Sequence, residues 1–562
     1  MPEAGAEFHF SPRPNRASEI NWHPWSQGAF DEARHTGRPI LLSISAVWCH
    51  WCHVMDETTY SHPGVIDIIN TNYVPVRVDN DVRPDINQRY NMGGWPTTAF
   101  LTSSGDILTG GTYMPPDQMA SALMKVADYY RSNQADIAGR VLEARKRAAS
   151  GVARSAGDLE EGLVDEILDA VRSAYDPEYG GFGNAPKFPQ TDAILLLLEQ
   201  SVLRSDAELR RMAMHTLDQM TGGGTYDHIE GGFFRYSTTQ DWSVPHYEKM
   251  LEDHAGLVQS LALAGMTEAL DRTTRYLDEV LRDPKSGLYA GSQDADEHYY
   301  KMDAEERKQS QAPYVDRRIY TSWNAALAIA YLDAGKQELA AKLLDSLFQR
   351  AYRPGGGMTR AEGADGQLGD QVWSLFAAVR AYQHGLGDRW IEIALDLSAH
   401  IEERYGDSQL GGYFDRAGGD DLGRLGERIK PLAENSIAAM ALIELDTLLG
   451  DPEAPHRERA RRALESVAAL PAQYGLMAAV FARALDRLPH AIKVTTKSPE
   501  LARAARAANP YAAIDPSGAP GARRARAEKD GAVVCVGTIC LAPVFTPTAV
   551  AQAIREASTT RA

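Results

Sequence analysis

The 562-residue sequence predicts three domains in series: an α/β domain over residues 1–150, an all-α domain over 151–488 and a small α/β segment over 489–562. Three observations predict this division. A C-x-x-C pair follows a strand-like apolar run, glycine-plus-aromatic turns then recur between helical segments, and strand-like segments return after residue 489. A chain of this length also exceeds what one hydrophobic core can organise.

The first domain is predicted from Cys49 and Cys52, which follow the mostly apolar run at residues 39–47. A strand that delivers a C-x-x-C to the start of a helix presents a redox dithiol in thioredoxin-like folds. The helix N-terminus favours the thiolate of Cys49, the expected attacking sulfur, and Cys52 is the expected resolving thiol. The side chains predicted to support the dithiol are Trp48, His50, Trp51 and His53.

The apolar run before the C-x-x-C and the segments after it read as β-α-α-β-α-β in order, and Pro96 stands just before the last strand-like segment, residues 97–102. In thioredoxin folds a proline at this place is cis and lies against the dithiol, where a substrate segment pairs as an extra strand. Pro96 is therefore the third predicted residue of the reactive site. A zinc site that uses His50 and His53 is one alternative, and a structural cysteine pair is another. The element order favours the redox site, and we expect no metal and no cofactor.

Composition limits the partners. The chain has 76 acidic and 58 basic residues and a formal charge of −18, which argues against a nucleic-acid groove or an anionic membrane surface. The sequence shows no apolar stretch long enough to span a membrane and no signal-peptide pattern at its start, so we expect a cytoplasmic protein. In a reducing compartment, a C-x-x-C is more often catalytic than structural.

The all-α domain is predicted from six glycine turns, in five of which an aromatic residue follows or flanks the glycine. The turns lie at Gly181, Gly232, Gly287, Gly356, Gly412 and Gly475. Apolar segments with helical spacing separate them, such as 193–203, 257–281 and 372–386, and each interval has room for about two helices. Six helical hairpins form either an open solenoid or a closed (α/α)6 toroid, and the polar, aromatic loops favour the toroid.

These loops concentrate acidic, basic and aromatic side chains, a combination typical of carbohydrate pockets. Two carboxylates could hydrolyse a glycosidic bond, and a histidine pair could move protons in an epimerase. The alternative is that the carboxylates cap helices and pair with neighbouring cations. The predicted pocket residues are Asp176, Lys187, Tyr226, Asp227, Arg235, Trp242, His246, Glu248, Asp294, Asp296, Trp323 and Asn324.

The last segment holds two predicted strands at 492–495 and 532–536, helices at 501–508 and 547–557, and a loop rich in Pro, Gly and Arg at 515–526. It also holds Cys535 and Cys540. They could form a second thiol pair that exchanges electrons with Cys49 and Cys52. The favoured interpretation is a pair of reduced, partly buried cysteines in a small subdomain.

Several long motifs occur in one order along the chain: WCHWCHVM, GGWP, GTYMPP, YGGFGNAPKFP, RYSTTQDWSVPHYEKML, SQDAD and TSWN, followed by the C-terminal cysteine pair. With them the chain resembles the large two-domain thioredoxin-fold proteins that include the spermatogenesis-associated thioredoxin-domain protein of animals and bacterial relatives. The resemblance implies a thioredoxin-like domain and a helical toroid similar to six-hairpin glycosidases and N-acylglucosamine 2-epimerases. It implies no particular substrate.

Three functional hypotheses follow. The favoured one is a thiol-disulfide oxidoreductase in which the toroid selects a disulfide-bearing protein or a small-molecule thiol. The second is a glycosidase or sugar epimerase that uses His246, Glu248, Asp227 and Asp294 and is regulated by the thioredoxin-like domain. The third is a non-catalytic scaffold that binds a sugar or a protein. We expect neither nucleic acid nor membrane as a partner.

Overall fold

The computed structural model describes residues 8–149, 155–419, 421–451, 453, 455–516, 531–537 and 539–559. Most of the predicted loop at 515–526 lies outside the described residues. Among the described residues, no helix combines the length and the apolar character needed to cross a membrane.

The N-terminal domain has the predicted thioredoxin-like fold. Its central strand β1 pairs in parallel with β2 and antiparallel with β3, and β4 completes the sheet in the order β2-β1-β3-β4. Every residue of β1 is buried, because helices cover both faces of the sheet, and this explains its continuous apolar run. The elements are α1 (Gln27–Thr36), β1 (Ile40–Ser45), α2 (His50–Glu57), α3 (Pro63–Asn72), β2 (Val74–Asp79), α4 (Pro84–Tyr90), β3 (Thr97–Leu101), β4 (Ile107–Gly111), α5 (Pro116–Ser132) and α6 (Gln134–Ala149).

The second domain is a closed ring of helices, as predicted. Its inner helices are α8 (Thr191–Leu203), α10 (Leu251–Ala264), α14 (Thr321–Asp333), α16 (Leu368–Gln383), α18 (Leu432–Leu449) and α21 (Ala479–His490). The outer helices are α7 (Leu163–Ala174), α9 (Ala207–Gly222), α11 (Thr267–Tyr276, extended by a π-helical turn at Leu277–Leu281), α15 (Gln337–Ala351), α17 (Arg389–Tyr405) and α19 (His456–Glu465). Each inner helix packs against the next, and α21 closes the ring by packing on α8 and on α7.

One predicted segment differs from the structure. The apolar run at 257–281 is divided at Gly265, where φ is 80°, into an inner and an outer helix. Apolar periodicity continues through the break, because both helices bury a face in the same core. The sequence signal for the break is the glycine itself, which ends α10 in the left-handed conformation.

The loops from outer to inner helices carry short helices and two-residue strands. These are α12 (Glu297–Tyr300), α13 (Ala304–Gln309), α20 (Pro471–Tyr474), β5 (Tyr236–Ser237), β6 (Pro245–His246), β7 (Lys249–Met250), β8 (Ser292–Gln293), β9 (Val315–Asp316), β10 (Tyr352–Arg353) and β11 (Gly357–Met358). All these loops lie at the N-terminal ends of the inner helices. The thioredoxin-like domain contacts the same end of the ring.

Four of the six predicted glycine turns share one construction. The fourth residue of an inner helix hydrogen-bonds the backbone of the turn's aromatic residue or of the methionine in its place: His254 at Phe233, Asn324 at Tyr289, Gln371 at Met358 and Asn435 at Tyr413. Three buried lysines add an ion pair to a turn aspartate, as Lys187–Asp176, Lys249–Asp227 and Lys430–Asp407. The repeat in the sequence is therefore a repeat of hairpins tied to the inner ring.

The C-terminal domain is a four-stranded sheet of order β13-β12-β14-β15 with two helices. Its elements are β12 (Ile492–Thr496), α22 (Pro499–Ala508), β13 (Ala512–Asp515), β14 (Ala532–Val536), β15 (Ile539–Cys540) and α23 (Pro547–Thr559). It contacts the C-terminal ends of the inner helices, where Tyr382 donates a hydrogen bond to Asp515 and Lys493 donates to the Leu448 carbonyl. The two α/β domains thus lie at opposite ends of the ring.

Candidate active site between the thioredoxin-like domain and the ring

The dithiol lies at the start of α2. Cys49 is the N-cap residue, and its Sγ accepts a hydrogen bond of 3.1 Å from the backbone N–H of Cys52. The two sulfurs form a disulfide bond. When the bond is reduced, the same N–H and the helix N-terminus stabilise negative charge on the Cys49 sulfur. This geometry suits a nucleophilic Cys49 and a resolving Cys52.

The chain beside the dithiol is arranged as predicted. The Trp95–Pro96 peptide bond is cis and immediately precedes β3. The Trp48 and Trp95 rings meet edge to face with centroids 5.5 Å apart, and the Trp48 indole N–H donates to Asp81 at 2.8 Å. Trp51, in contrast, is 46% exposed and points away from this cluster.

The ring domain covers the dithiol. Cys49 is 3% exposed and Cys52 2%, and with Trp48 they belong to the same hydrophobic cluster as the ring's core. The guanidinium carbon of Arg235 lies 4.1 Å from the Trp48 ring centroid and 5.5 Å from that of Trp95. The reactive sulfurs therefore face the space between two domains and not bulk solvent.

Polar contacts hold the two domains together around this site. Arg89 of α4 forms a buried ion pair with Asp415 at 2.6 Å. The Arg360 Nε donates to the Asp81 carbonyl at 2.6 Å, and Arg318 pairs with Asp79. In each of these contacts one residue belongs to the thioredoxin-like domain and the other to the ring. The site therefore forms only when the two domains are docked.

His53 and Asp294 form a buried pair between the domains, with His53 Nδ1 3.3 Å from Asp294 Oδ2. Burial, with a smaller contribution from the neighbouring His9, lowers the pKa of His53 to about 3. Burial also raises the pKa of Asp294 to about 8. Around neutral pH the pair is therefore an uncharged imidazole beside a protonated carboxyl group, and both are buried between the domains.

A second acid has a similar environment. Burial raises the pKa of Asp253 to about 7, against the opposing effect of Arg235, whose Nε lies 3.9 Å from Asp253 Oδ2. Burial and the nearby Asp79 carboxylate raise the pKa of Asp81. Acids with raised pKa values thus surround the covered dithiol from both domains, a feature common at functional sites.

His246 and Glu248 lie close enough to His50, in the first turn of the dithiol helix, to affect its pKa. The His246 Nδ1 hydrogen-bonds a Glu248 carboxylate oxygen, and the His246 ring stacks on Tyr236 at 4.9 Å. Burial lowers the pKa of His50, and the charge of His246 lowers it further, so these side chains share one electrostatic environment. The ring thereby brings four of its predicted pocket residues to the dithiol: Arg235, His246, Glu248 and Asp294.

Seven other predicted pocket residues hold the loops of the ring in place. Asp176 and Asp227 accept backbone N–H groups of their own turns and are neutralised by buried lysines, and Arg307 also pairs with Asp227. Asp296 caps α12 through two backbone N–H groups. The other four also make backbone hydrogen bonds or loop contacts: Lys187, Tyr226, Trp242 and Asn324. Asp227 is 2% exposed, so its carboxylate holds a loop and does not face a pocket.

The ring has a cavity of about 530 Å³ at the N-terminal ends of its inner helices. Helix α4 of the thioredoxin-like domain contributes Pro84, Asn87 and Gln88 to its wall. Trp323 is the predicted pocket residue that lines this cavity. Glu252, Trp373 and Glu434 also line the cavity and were not predicted. Glu252 and Glu434 lie in the first turns of apolar helices, and that position is the signal that could have identified them.

Cys535 and Cys540 lie opposite each other on β14 and β15 and form a second disulfide. The expected reduced pair is therefore not what the structure shows; the cross-strand register places the two sulfurs side by side. This pair lies at the other end of the inner helices from Cys49, and α18, with 18 residues, alone spans about 27 Å at 1.5 Å per residue. Direct exchange needs sulfurs in contact, so the docked arrangement provides no direct path between the two pairs.

In the described part of the chain, no group of three or more His, Cys, Asp or Glu side chains could hold a metal ion.

Residues 13–148 match the family model Thioredox_DsbH, whose description reads "Protein of unknown function, DUF255". The match covers most of the N-terminal domain, which is therefore similar to this family. The chain is 34% identical over 310 residues to spermatogenesis-associated protein 20 of Rattus norvegicus, an alignment that covers 49% of this chain and 39% of the relative. The chain thus spans about two fifths of the length of the curated relatives it matches. The resemblance predicted from the motifs is confirmed.

Among solved structures, the cellobiose 2-epimerase of Spirochaeta thermophila is 17% identical with a TM-score of 0.44, covering 61% of this chain and 95% of that one. A protein titled DsbH oxidoreductase is 17% identical with a TM-score of 0.18, covering 22% of this chain and 96% of that one. The toroid assignment rests on the closed ring of helices itself.

Proposed function

We propose that this protein is a thiol-disulfide oxidoreductase whose reactive pair is Cys49 and Cys52. The observation that carries the proposal is the bonded pair at the N-terminus of α2, with Cys49 as the N-cap and both cysteines in the same hydrophobic cluster as the core of the ring. A cation next to the Trp48 and Trp95 rings and the helix N-terminus both favour the thiolate that exchange requires.

In the exchange, the Cys49 thiolate of the reduced pair attacks one sulfur of a client disulfide. A mixed disulfide forms and the first client thiolate leaves. The Cys52 thiolate then attacks Cys49 Sγ, which re-forms the Cys49–Cys52 bond and releases the second client thiolate. The client gains two electrons and the protein loses two; a dithiol reductant reverses the sequence.

The enclosure of the sulfurs supports a small client. With Cys49 3% exposed, a folded protein disulfide reaches the sulfur only after the domains separate. A small disulfide needs only the space between them. This selection by the ring is the part of the proposal that distinguishes the protein from an isolated thioredoxin-like domain.

The test is equilibration of the full-length protein with reduced and oxidised glutathione, followed by alkylation and mass measurement. A variant that lacks the second pair, Cys535→Ser with Cys540→Ser, removes the other disulfide from the count. We expect a reversible two-electron couple that disappears in Cys49→Ser. If the pair does not change state at any glutathione ratio, the proposed function is refuted.

Client size is tested with the same protein in its reduced form. Glutathione disulfide is expected to react at least about tenfold faster than the exposed disulfides of insulin, after correction for their rates with dithiothreitol. Equal corrected rates would show that the ring does not select by size.

A further inference from the structure

The cavity at the N-terminal ends of the inner helices contains acids that no cation neutralises. Its lining includes four carboxylates and two guanidinium groups. Asp192 is paired with Arg483 at 2.6 Å and Asp415 with Arg89 at 2.6 Å. Among the described residues, Glu252 and Glu434 form no ion pair, and no other residue donates a hydrogen bond to either carboxyl group.

The basic groups of the cavity wall are already engaged. Arg360 is committed to Asp370 and to the Asp81 carbonyl, and Arg483 also pairs with Glu199. The wall therefore presents an excess of negative charge that its own side chains do not compensate. A neutral ligand would leave that excess in place.

Two indole rings complete the lining. Trp323, which is 6% exposed, is held against Tyr320 with ring centroids 4.5 Å apart, and Trp373 is half-buried. An aromatic face attracts a cation or packs against the carbon chain that carries it. Glu252 is exposed and Glu434 is half-buried, and both line the cavity together with the two indole rings.

We propose that this cavity binds a small molecule with a protonated amine, which Glu252 and Glu434 neutralise while Trp323 and Trp373 contact its apolar part. The volume of about 530 Å³ lies within the range of pockets for small organic ligands. Helix α4 of the thioredoxin-like domain forms part of the wall, so the site is complete only when the domains are docked. The inference is independent of the redox proposal.

Binding should depend on pH in a defined direction. Burial raises the pKa of Glu434, and the charges of Asp415 and Glu252 raise it further, against the opposing effect of Arg360. A bound ammonium group would lower that pKa, so binding releases a proton and tightens as pH rises through the pKa of the free Glu434 carboxyl group. Titration calorimetry in buffers with different heats of ionisation measures the number of protons released on binding.

The experiment titrates the full-length protein with 1,4-diaminobutane and with 1,4-butanediol, which have the same carbon chain and differ in charge. Glucose serves as a neutral ring-shaped polyol. We expect the diamine to bind at least about tenfold more tightly than either neutral probe. A diol or glucose that binds as tightly as the diamine overturns the proposal and favours a polyol site, and the absence of saturable diamine binding also overturns it.

Matched amide variants locate the binding. Glu252→Gln and Glu434→Gln should each weaken diamine binding about fivefold or more, whereas Asp192→Asn, which changes a carboxylate that Arg483 already neutralises, should change it less than about twofold. Equal effects of all three variants would indicate general attraction to an acidic protein and refute the site. Cys49→Ser should leave diamine binding unchanged, which separates this outcome from that of the redox test.

Discussion

Arg89 is the residue whose loss should open the dithiol. Its guanidinium makes five hydrogen bonds: one to the Asp85 carbonyl within α4 and four to the ring domain, at the Arg424 carbonyl, both Asp415 carboxylate oxygens and the Glu427 carbonyl. The side chain is fully buried, and that of Asp415 is 7% exposed. Arg89→Met keeps the aliphatic stem but leaves a buried carboxylate without its cation.

Removal of one partner of a buried ion pair costs about 3–5 kcal/mol. Because four of the five hydrogen bonds cross to the ring, we assign most of this loss to docking of the two domains. At about 1.4 kcal/mol per factor of ten, the lower bound raises the undocked population about a hundredfold. Access of large reagents to Cys49 should rise by the same factor, since the sulfur is covered only in the docked state.

The assay reduces the protein and measures alkylation of Cys49 by iodoacetamide and by a maleimide carrying a long polyethylene glycol chain. Arg131→Met is the matched control, because Arg131 is exposed and pairs within α5 with Asp128. The bulky reagent should accelerate about a hundredfold in Arg89→Met and not in the control. A variant that keeps its secondary structure and reacts with the bulky reagent at the wild-type rate would refute the argument that docking covers the dithiol.

Three further predictions concern single residues. Gly232 and Gly265 have φ of 77° and 80°, so an alanine at either position should lower the free energy of unfolding by about 1–2 kcal/mol. A Cβ on Gly232 would in addition lie 2.6 Å from a Tyr276 ring carbon. Urea unfolding should therefore show a clearly larger loss for Gly232→Ala, and equal losses would contradict the packing argument. Asp294→Asn should gain thermal stability relative to wild type as pH rises from about 4 to about 8, because only the wild-type carboxyl, with its pKa raised to about 8, ionises on unfolding in that window. A difference in Tm that is constant with pH would show that Asp294 is not held protonated. Arg235→Gln should slow exchange with glutathione disulfide about three- to tenfold through loss of the cation beside Trp48, whereas Arg272→Gln, which removes a cation beside Tyr226, should not. Equal rates for the two variants would exclude Arg235 as a positioning residue.

Local features of this protein were predictable from the sequence because they depend on neighbours along the chain. The strand-to-helix step at Cys49 follows from an apolar run that ends at a C-x-x-C, and the proline before β3 follows from the order of the segments. The hairpins of the ring were predictable because glycine readily adopts the positive φ that their turns need, as at Gly232 and Gly412. This preference is local and does not depend on the tertiary contacts of the hairpin. The prediction of one continuous helical segment at 257–281 was wrong, because Gly265 separates two helices that bury their apolar faces in the same core.

The chemistry of the predicted pocket could not be assigned in the same way. Asp227 and Asp294 both lie in polar loops of the ring and have the same side chain. Lys249 and Arg307 neutralise the first inside its turn, whereas the second meets His53 of another domain and has its pKa raised to about 8. The loops that pack together in the folded protein determine which group lies next to a given carboxylate. The spacing of residues along the sequence does not predict that packing.

The sequence by itself determined where each helix hairpin and the dithiol would form, since hydrogen bonding and apolar periodicity act over a few residues. Only the tertiary structure decided that the ring closes over Cys49, and that Glu252 and Glu434 share one cavity. Those residues lie in the first turns of different helices, and closure of the ring, driven by burial of its inner helices on all sides, brings them together.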